Sequence, residues 1–98
     1  MRYFEIEILP AAEKDLEDIW LYIAAVNPTA ADRLLRQLNQ RIFSLATMPE
    51  RNQLRTDIAP TTRCLIERNY LVLYEVQEDR VLVVRVVHGA MDLANIIG

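Results

Sequence analysis

The stretch that most restricts the fold runs Tyr70-Leu-Val-Leu-Tyr-Glu-Val-Gln-Glu-Asp-Arg-Val-Leu-Val-Val-Arg-Val-Val-His88-Gly89. Two runs rich in Val, Leu and Tyr, 70–76 and 81–87, flank the polar break Gln77-Glu78-Asp79-Arg80. Such residues suit a pleated, half-buried surface, and the break has the length of a hairpin loop. With Glu78-Asp79 as the loop, Gln77 pairs with Arg80, Tyr70 opposes Val87, Val72 opposes Arg85, Tyr74 opposes Val83 and Val76 opposes Val81. Leu71, Leu73 and Glu75 then lie on the other face, against Val86, Val84 and Leu82. A slip of one residue would move every pair to the opposite face. Both faces of this ribbon are apolar, whereas a sheet with one wet face alternates cleanly. One face packs on the chain's own helices. The other needs a second cover: more of this chain, a second copy or a different protein.

The rest of the chain supplies the helices and two more strands. Residues 3–9 alternate Phe4, Ile6 and Ile8 with Tyr3, Glu5 and Glu7, a half-buried strand ending before Pro10. From 11 to 26, Ala12, Leu16, Ile19, Trp20 and Ile23 form one helical stripe, with Glu13, Asp15, Glu17 and Asp18 toward the N-terminal half. Asn27-Pro28 ends that helix, Asn as a left-handed cap and Pro as a breaker. A second helix, 29–47, turns Ala31, Leu34, Leu35, Leu38, Ile42 and Leu45 inward and carries a possible Asp32–Arg36 pair. The short link makes the two an antiparallel hairpin. Residues 48–60 fit no period. Residues 62–68 read as a strand, and Asn69 supplies the turn into Tyr70. The apolar residues of Ala90-Met-Asp-Leu-Ala-Asn-Ile-Ile-Gly98 suit a short helix or a docking tail. The order is β-α-α-β-β-β. The expected fold is α+β in two layers, a helical hairpin on an antiparallel-rich four-stranded sheet, forming a single domain over 1–98.

Composition sets limits on function. The chain has 98 residues, 52 % hydrophobic and 26 % charged, with a net charge of −3. That suits a globular domain with room for a core. Lys14 is the single lysine, so any contact with nucleic acid would rest on placed arginines rather than a cationic surface. One cysteine, Cys64, precludes a disulfide within the chain and reads as a small buried apolar residue. No apolar run approaches the length of a membrane span, and Met1-Arg-Tyr-Phe-Glu does not read as a signal peptide, so the cytoplasm is the expected location.

Catalytic constellations are scarce. One Cys and one His give no zinc spacing, two glycines cannot build a phosphate loop, and Ser44 lies within a helix, so neither metal nor cofactor is expected. Glu13, Asp15, Glu17 and Asp18 read as a solvated helix face. His88, where a strand ends at Gly89, could act as acid or base, but a structural histidine is the commoner case. Arg85, placed by the register on the Tyr70/Val72/Tyr74 face, needs a carboxylate, a phosphate or a partner's backbone. Pairing within the sheet, to Glu67 or Glu75, competes with a functional role. Arg63 and Arg68 lie on a neighbouring strand and its turn.

Several pieces then fall in a telling order. A strand ending in proline precedes Ala12-Glu-Lys-Asp15-Leu16-Glu-Asp-Ile19, followed by Tyr22-Ile23, Asn27-Pro28 with Ala31, a leucine-rich helix, and Leu45-Ala46-Thr-Met-Pro49. Arg63 opens the sheet, Tyr70-x-Val-x-Tyr74-x-Val76 follows, and Arg85-Val86-Val87-His88-Gly89 closes it, with Asp92 beyond. This order, over nearly the whole chain, resembles the RelE/ParE superfamily of toxins from bacterial type II toxin–antitoxin pairs. The resemblance implies a cognate antitoxin that wraps the toxin in a hetero-oligomer and supplies the second cover, folding as it binds. We expect it on the face bearing Tyr70, Val72, Tyr74, Val83 and Arg85.

Two activities compete within the superfamily. RelE-like members resemble ribosome-dependent mRNA endonucleases, which drive a ribose 2′-hydroxyl onto the adjacent phosphate and need a base, an acid and cations. Here those roles would fall to Arg63, Arg85 and His88. ParE-like members look like inhibitors of DNA gyrase and need no cleavage site. The Ala-x-x-Asp-Leu helix, the Asn-Pro break and the His-Gly strand end are nearer the ParE-like side. The stretch 48–60 has only Arg51 and Arg55, and no Tyr, Arg or Lys follows His88. The expected role is therefore a gyrase-binding toxin, with no direct nucleic-acid contact and with Arg63, His88 and Asp92 bearing on toxicity. ParE-like chains often carry arginines after His-Gly where this one has Ala90-Met91. An inert module that keeps antitoxin binding is thus a third reading.

Overall fold

The computed structural model describes residues 3–89. Asp92, the Ala90-Met91 pair and the tail to Gly98 lie outside the described residues. Strand β1 (Glu5–Ile8) leads through Leu9 into helix α1 (Pro10–Ala24), whose Pro10 takes a first-turn position where a missing N–H costs nothing. Helix α2 (Pro28–Phe43) is followed by short 3-10 turns at Ser44–Ala46 and Pro49–Arg51. Strands β2 (Arg63–Glu67), β3 (Tyr70–Val76) and β4 (Arg80–His88) complete the order β-α-α-β-β-β. Asn27 serves the second helix rather than closing the first. Its backbone is extended at φ −149°, and its side chain accepts the Ala30 N–H at 3.0 Å, an N-cap ahead of Pro28.

The sheet has the order β1-β4-β3-β2, with β1 parallel to β4 and the other pairs antiparallel. The expected hairpin register holds at its loop end, where Tyr74 opposes Val83 and Val76 opposes Val81. It fails beyond Tyr74. Leu73 opposes Arg85, Val72 opposes Val86 and Tyr70 opposes His88, so Val84 has no residue across from it. This is a β-bulge, one extra residue that bends a strand and re-aims its side chains. Without it, Arg85 would follow Val81 and Val83 beneath the helices. With it, Val86 takes that buried place, and Arg85 leaves the core face.

Ala12 and Leu16 of α1, and Leu34, Leu38 and Ile42 of α2, pack with Leu65, Val72, Tyr74, Val81, Val83 and Val86 of the sheet in one core. The face expected to receive an antitoxin is therefore the face the helices occupy. Val72, Tyr74 and Val83 are wholly buried there, and Tyr70 is half-buried against them. On the opposite face Cys64 and Leu73 form a smaller cluster with Leu71 and with Ile58 of the loop before β2, so part of the second cover is this chain's own. Ile66 on that side is 62 % exposed.

Polar contacts fasten the two layers at their margins. Arg41 of α2 pairs with Glu67 of β2 at 3.0 Å, and Asp15 of α1 binds Arg85 of β4. The helices are pinned to each other by the Trp20 indole N–H, which donates to Asp32 at 2.8 Å. Asp32 thus serves Trp20 and makes no ion pair with Arg36. Both sheet edges are protected. Short β1 carries Glu5 and Glu7, with Arg80 donating to Glu7 at 3.0 Å. Against β2, Leu54 bridges Arg63 while the Cys64 N–H donates to the Gln53 carbonyl at 3.2 Å.

Candidate functional site

Arg63 and Tyr74 are cross-strand partners and act together on the irregular segment. The Arg63 guanidinium donates to the carbonyls of Glu50 at 3.1 Å and Asn52 at 2.6 Å. The Tyr74 hydroxyl donates to the Pro49 carbonyl at 2.5 Å and accepts from the Asn52 side chain at 3.1 Å. Three carbonyls of a segment without regular structure thus gain partners from the sheet, as buried backbone groups require. Burial pushes the Tyr74 phenol above its ordinary pKa, against the Asn52 hydrogen bond and the nearby Arg63 charge. Arg63 also lines an open cleft of 740 Å³ whose rim includes Glu50, Glu78 and Asp79.

Arg85 is held by Asp15 in a two-pronged pair, its Nε 2.7 Å from Oδ2 and a terminal nitrogen 2.9 Å from Oδ1. The same Oδ2 accepts the Val86 backbone N–H at 2.9 Å. Strand β1 is paired with β4 only as far as Val83, so this N–H lies on an edge that β1 has left. The Asp15 side chain is 14 % exposed. It is a structural anchor between α1 and β4 and not part of a solvated face. Neither Glu67 nor Glu75 meets Arg85; Glu67 is taken by Arg41.

His88 stands at the far end of β3 from Arg63. It pairs with Tyr70, whose ring meets the imidazole edge-on at 5.3 Å between centroids. Four residues of β3 separate Tyr70 from Tyr74, roughly 13 Å of strand, and β2 and β4 lie two strand spacings apart, about 9–10 Å. The structure therefore does not bring Arg63, Arg85 and His88 together. Asp92 is outside the described residues. Cys64 is buried, and burial raises its thiol pKa, the reverse of a reactive cysteine. Among the described residues no group of three His, Cys, Asp or Glu side chains could hold a metal ion, and no helix is long and apolar enough to cross a membrane.

Two surface features escaped the sequence reading. An apolar groove of 530 Å³ runs between α1 and α2, lined by Leu16, Trp20, Leu21 and Leu35, with Glu13 and Glu17 along it. Leu21 is 53 % exposed, and Tyr22 and Val26 are more so. The helical stripe of α1 is wider than the core needs, and Leu21-Tyr22 beside Trp20 was the signal for it. The second feature is the β2–β3 turn. Its positive φ, +55°, falls on Arg68 and not on Asn69.

The whole pattern has known counterparts. A sequence profile described as the ParE toxin of the type II toxin–antitoxin system parDE matches residues 6–93. The chain belongs to the ParE toxin family. Among solved structures, this ParE-family chain superposes on one from the chromosomal ParDE toxin–antitoxin system of P. aeruginosa with a TM-score of 0.77. The two are 18 % identical, over 89 % of this chain and 97 % of that one. It also superposes on a chain of the RelBE2 toxin–antitoxin complex of Mycobacterium tuberculosis, with a TM-score of 0.68 and 24 % identity over 92 % of this chain and 95 % of that one. At such identities these two likenesses speak to the fold. A comparison with curated proteins gives no match.

Proposed function

We propose that this ParE-family toxin acts by binding DNA gyrase rather than by cutting RNA, and that an antitoxin silences it. The observation that carries this reading is the dispersal of the nuclease candidates. General acid–base cleavage needs a base within hydrogen-bond reach of the hydroxyl and cations around the phosphate. Arg63 is engaged by loop carbonyls and Arg85 by Asp15, while His88 lies at the other end of the sheet. The cleft beside Arg63 is rimmed by three carboxylates, which repel RNA phosphate. Purified protein added to gyrase should suppress supercoiling, and toeprints of translating ribosomes should show no new A-site cut. Ribosome-dependent cleavage lost in Arg63→Ala would replace this reading with the RelE-like one. Growth unaffected by expression without antitoxin would favour the inert module.

The core face being closed, the antitoxin site moves to the helical layer. The groove between α1 and α2 has the width and apolar lining to accept an amphipathic segment. Glu13 and Glu17 along it, with Asp18 nearby, favour basic residues flanking that segment's apolar face. The antitoxin contact at this groove thus rests on Leu21 and Trp20 and not on Tyr70, Val72, Tyr74, Val83 and Arg85.

A further inference from the structure

We propose that the β2–β3 turn is a protein-recognition tip, with Arg68 its anchor and an acidic surface of the toxin's target its counterpart. The proposal rests on the target-binding reading above and adds the place and chemistry of the contact. Glu67 pairs with Tyr70, leaving Arg68-Asn69 as a two-residue turn. Such turns prefer glycine where the first central residue has positive φ. Here that residue is Arg68, at φ +55°. Asn, which tolerates the left-handed region better than Arg, sits one position later, where φ is not positive.

A second non-glycine residue, Met48 at φ +54°, shows what an internal reason for such a conformation looks like. Its thioether accepts from Arg51 at 3.1 Å, and the next residue, Pro49, offers its carbonyl to Tyr74. Arg68 has no comparable return. It is exposed and makes no hydrogen bond or ion pair among the described residues. A strained residue without internal compensation marks a place where conformation is kept for an external contact.

The surroundings specify the partner. The neighbouring carboxylate, Glu67, is neutralised by Arg41, so the Arg68 charge is not offset beside it. Ile66, two residues earlier, is an exposed apolar side chain, and His88 is exposed in the row Glu67–Tyr70–His88. An arginine beside an exposed aliphatic residue is the composition of a protein interface anchor. A net charge of −3 opposes a nucleic-acid backbone as the alternative. The tip is also rigid: the Gly89 N–H donates to the Asn69 carbonyl at 2.7 Å, tying the turn to the end of β4. Gly89 itself has φ +44°, which accounts for glycine there. A fixed guanidinium loses little freedom on engaging a carboxylate in two-pronged fashion.

The test uses Arg68→Gly and Arg68→Lys in the full chain. Arg68→Gly relieves the backbone and removes the guanidinium. Its melting temperature should rise by a few degrees, while growth arrest and gyrase inhibition fall about tenfold or more, the loss typical of a truncated anchor. Arg68→Lys keeps the strain and the charge but loses the forked geometry, and should fall between the two. Binding of the antitoxin should stay within about twofold in both, since the α1–α2 groove is on another part of the molecule. A Gly variant as toxic as the parent, or one with a lower melting temperature, overturns the proposal. Retardation of a DNA duplex by the parent and not by Arg68→Gly reassigns the guanidinium to phosphate and also overturns it. Growth arrest that depends on Arg68 while gyrase is unaffected sustains the tip and removes gyrase as the target, so the two failures are told apart.

Discussion

Asp15 joins three elements through one carboxylate. It binds Arg85 at two points and takes the Val86 N–H where β4 has lost β1 as a neighbour. Removing it leaves a half-buried guanidinium and an edge N–H together. Asp15→Ala should lower stability by about 2–3 kcal/mol, the range for charged hydrogen bonds lost from a partly buried site. Asp15→Asn keeps one acceptor and should cost about 1 kcal/mol. Arg85→Ala should cost less than Asp15→Ala, because the Arg85 side chain is 38 % exposed and water can replace part of its role. Urea denaturation of the three variants checks the ranking. Equal losses for Asp15→Ala and Arg85→Ala would show that the Val86 N–H contributes nothing.

At the scale of elements, Tyr74 ties strand to loop and makes the tie sensitive to pH. Tyr74→Phe should cost about 1–2 kcal/mol at neutral pH, since the Pro49 carbonyl is left without its donor. The phenol's folded pKa is raised by burial. Its proton is therefore held more tightly in the folded state, and the stabilisation is complete below the unfolded value of about 10. It is lost as pH rises through the folded value, because native protein binds more protons in that window. The gap in stability between parent and Tyr74→Phe should thus narrow as pH climbs past about 10, measured by urea midpoints in alkaline buffers. Asn27→Ala, which removes the cap of α2, should cost about 1 kcal/mol at all these pH values.

Element type and order were legible because each rests on a period: 3.6 in the helices, 2 in the strands. The bulge was not, because Val-Val-Arg-Val-Val alternates almost equally well in either register. Only Asp15, seventy residues away, decides that Arg85 leaves the core face. The same contact explains the misjudged Asp15. Local spacing put it among Glu13, Glu17 and Asp18, and its partner is supplied by tertiary packing. The face assigned to the antitoxin failed for a related reason. Apolar residues on both sides of a ribbon do not say which side the helices choose.

For the whole molecule, the helical groove yields a test that separates folding from partnership. Leu21 borders the groove and is 53 % exposed, so Leu21→Glu removes little from the core. The isolated variant should melt within a degree or two of the parent, as surface changes outside special sites usually stay within about 0.5 kcal/mol. An antitoxin that binds the folded toxin raises its stability by mass action, about 2.7 kcal/mol at a hundredfold excess over Kd. For a domain of this size that corresponds to a melting shift on the order of 10–20 °C. In Leu21→Glu a carboxylate enters an apolar groove already flanked by Glu13 and Glu17, where it opposes the apolar face of the incoming segment. The antitoxin-dependent shift should fall by more than half, while toxicity without antitoxin is unchanged. A full shift in the variant would mean that the antitoxin binds elsewhere. A variant that melts well below the parent would mean that Leu21 belongs to the core and not to an interface.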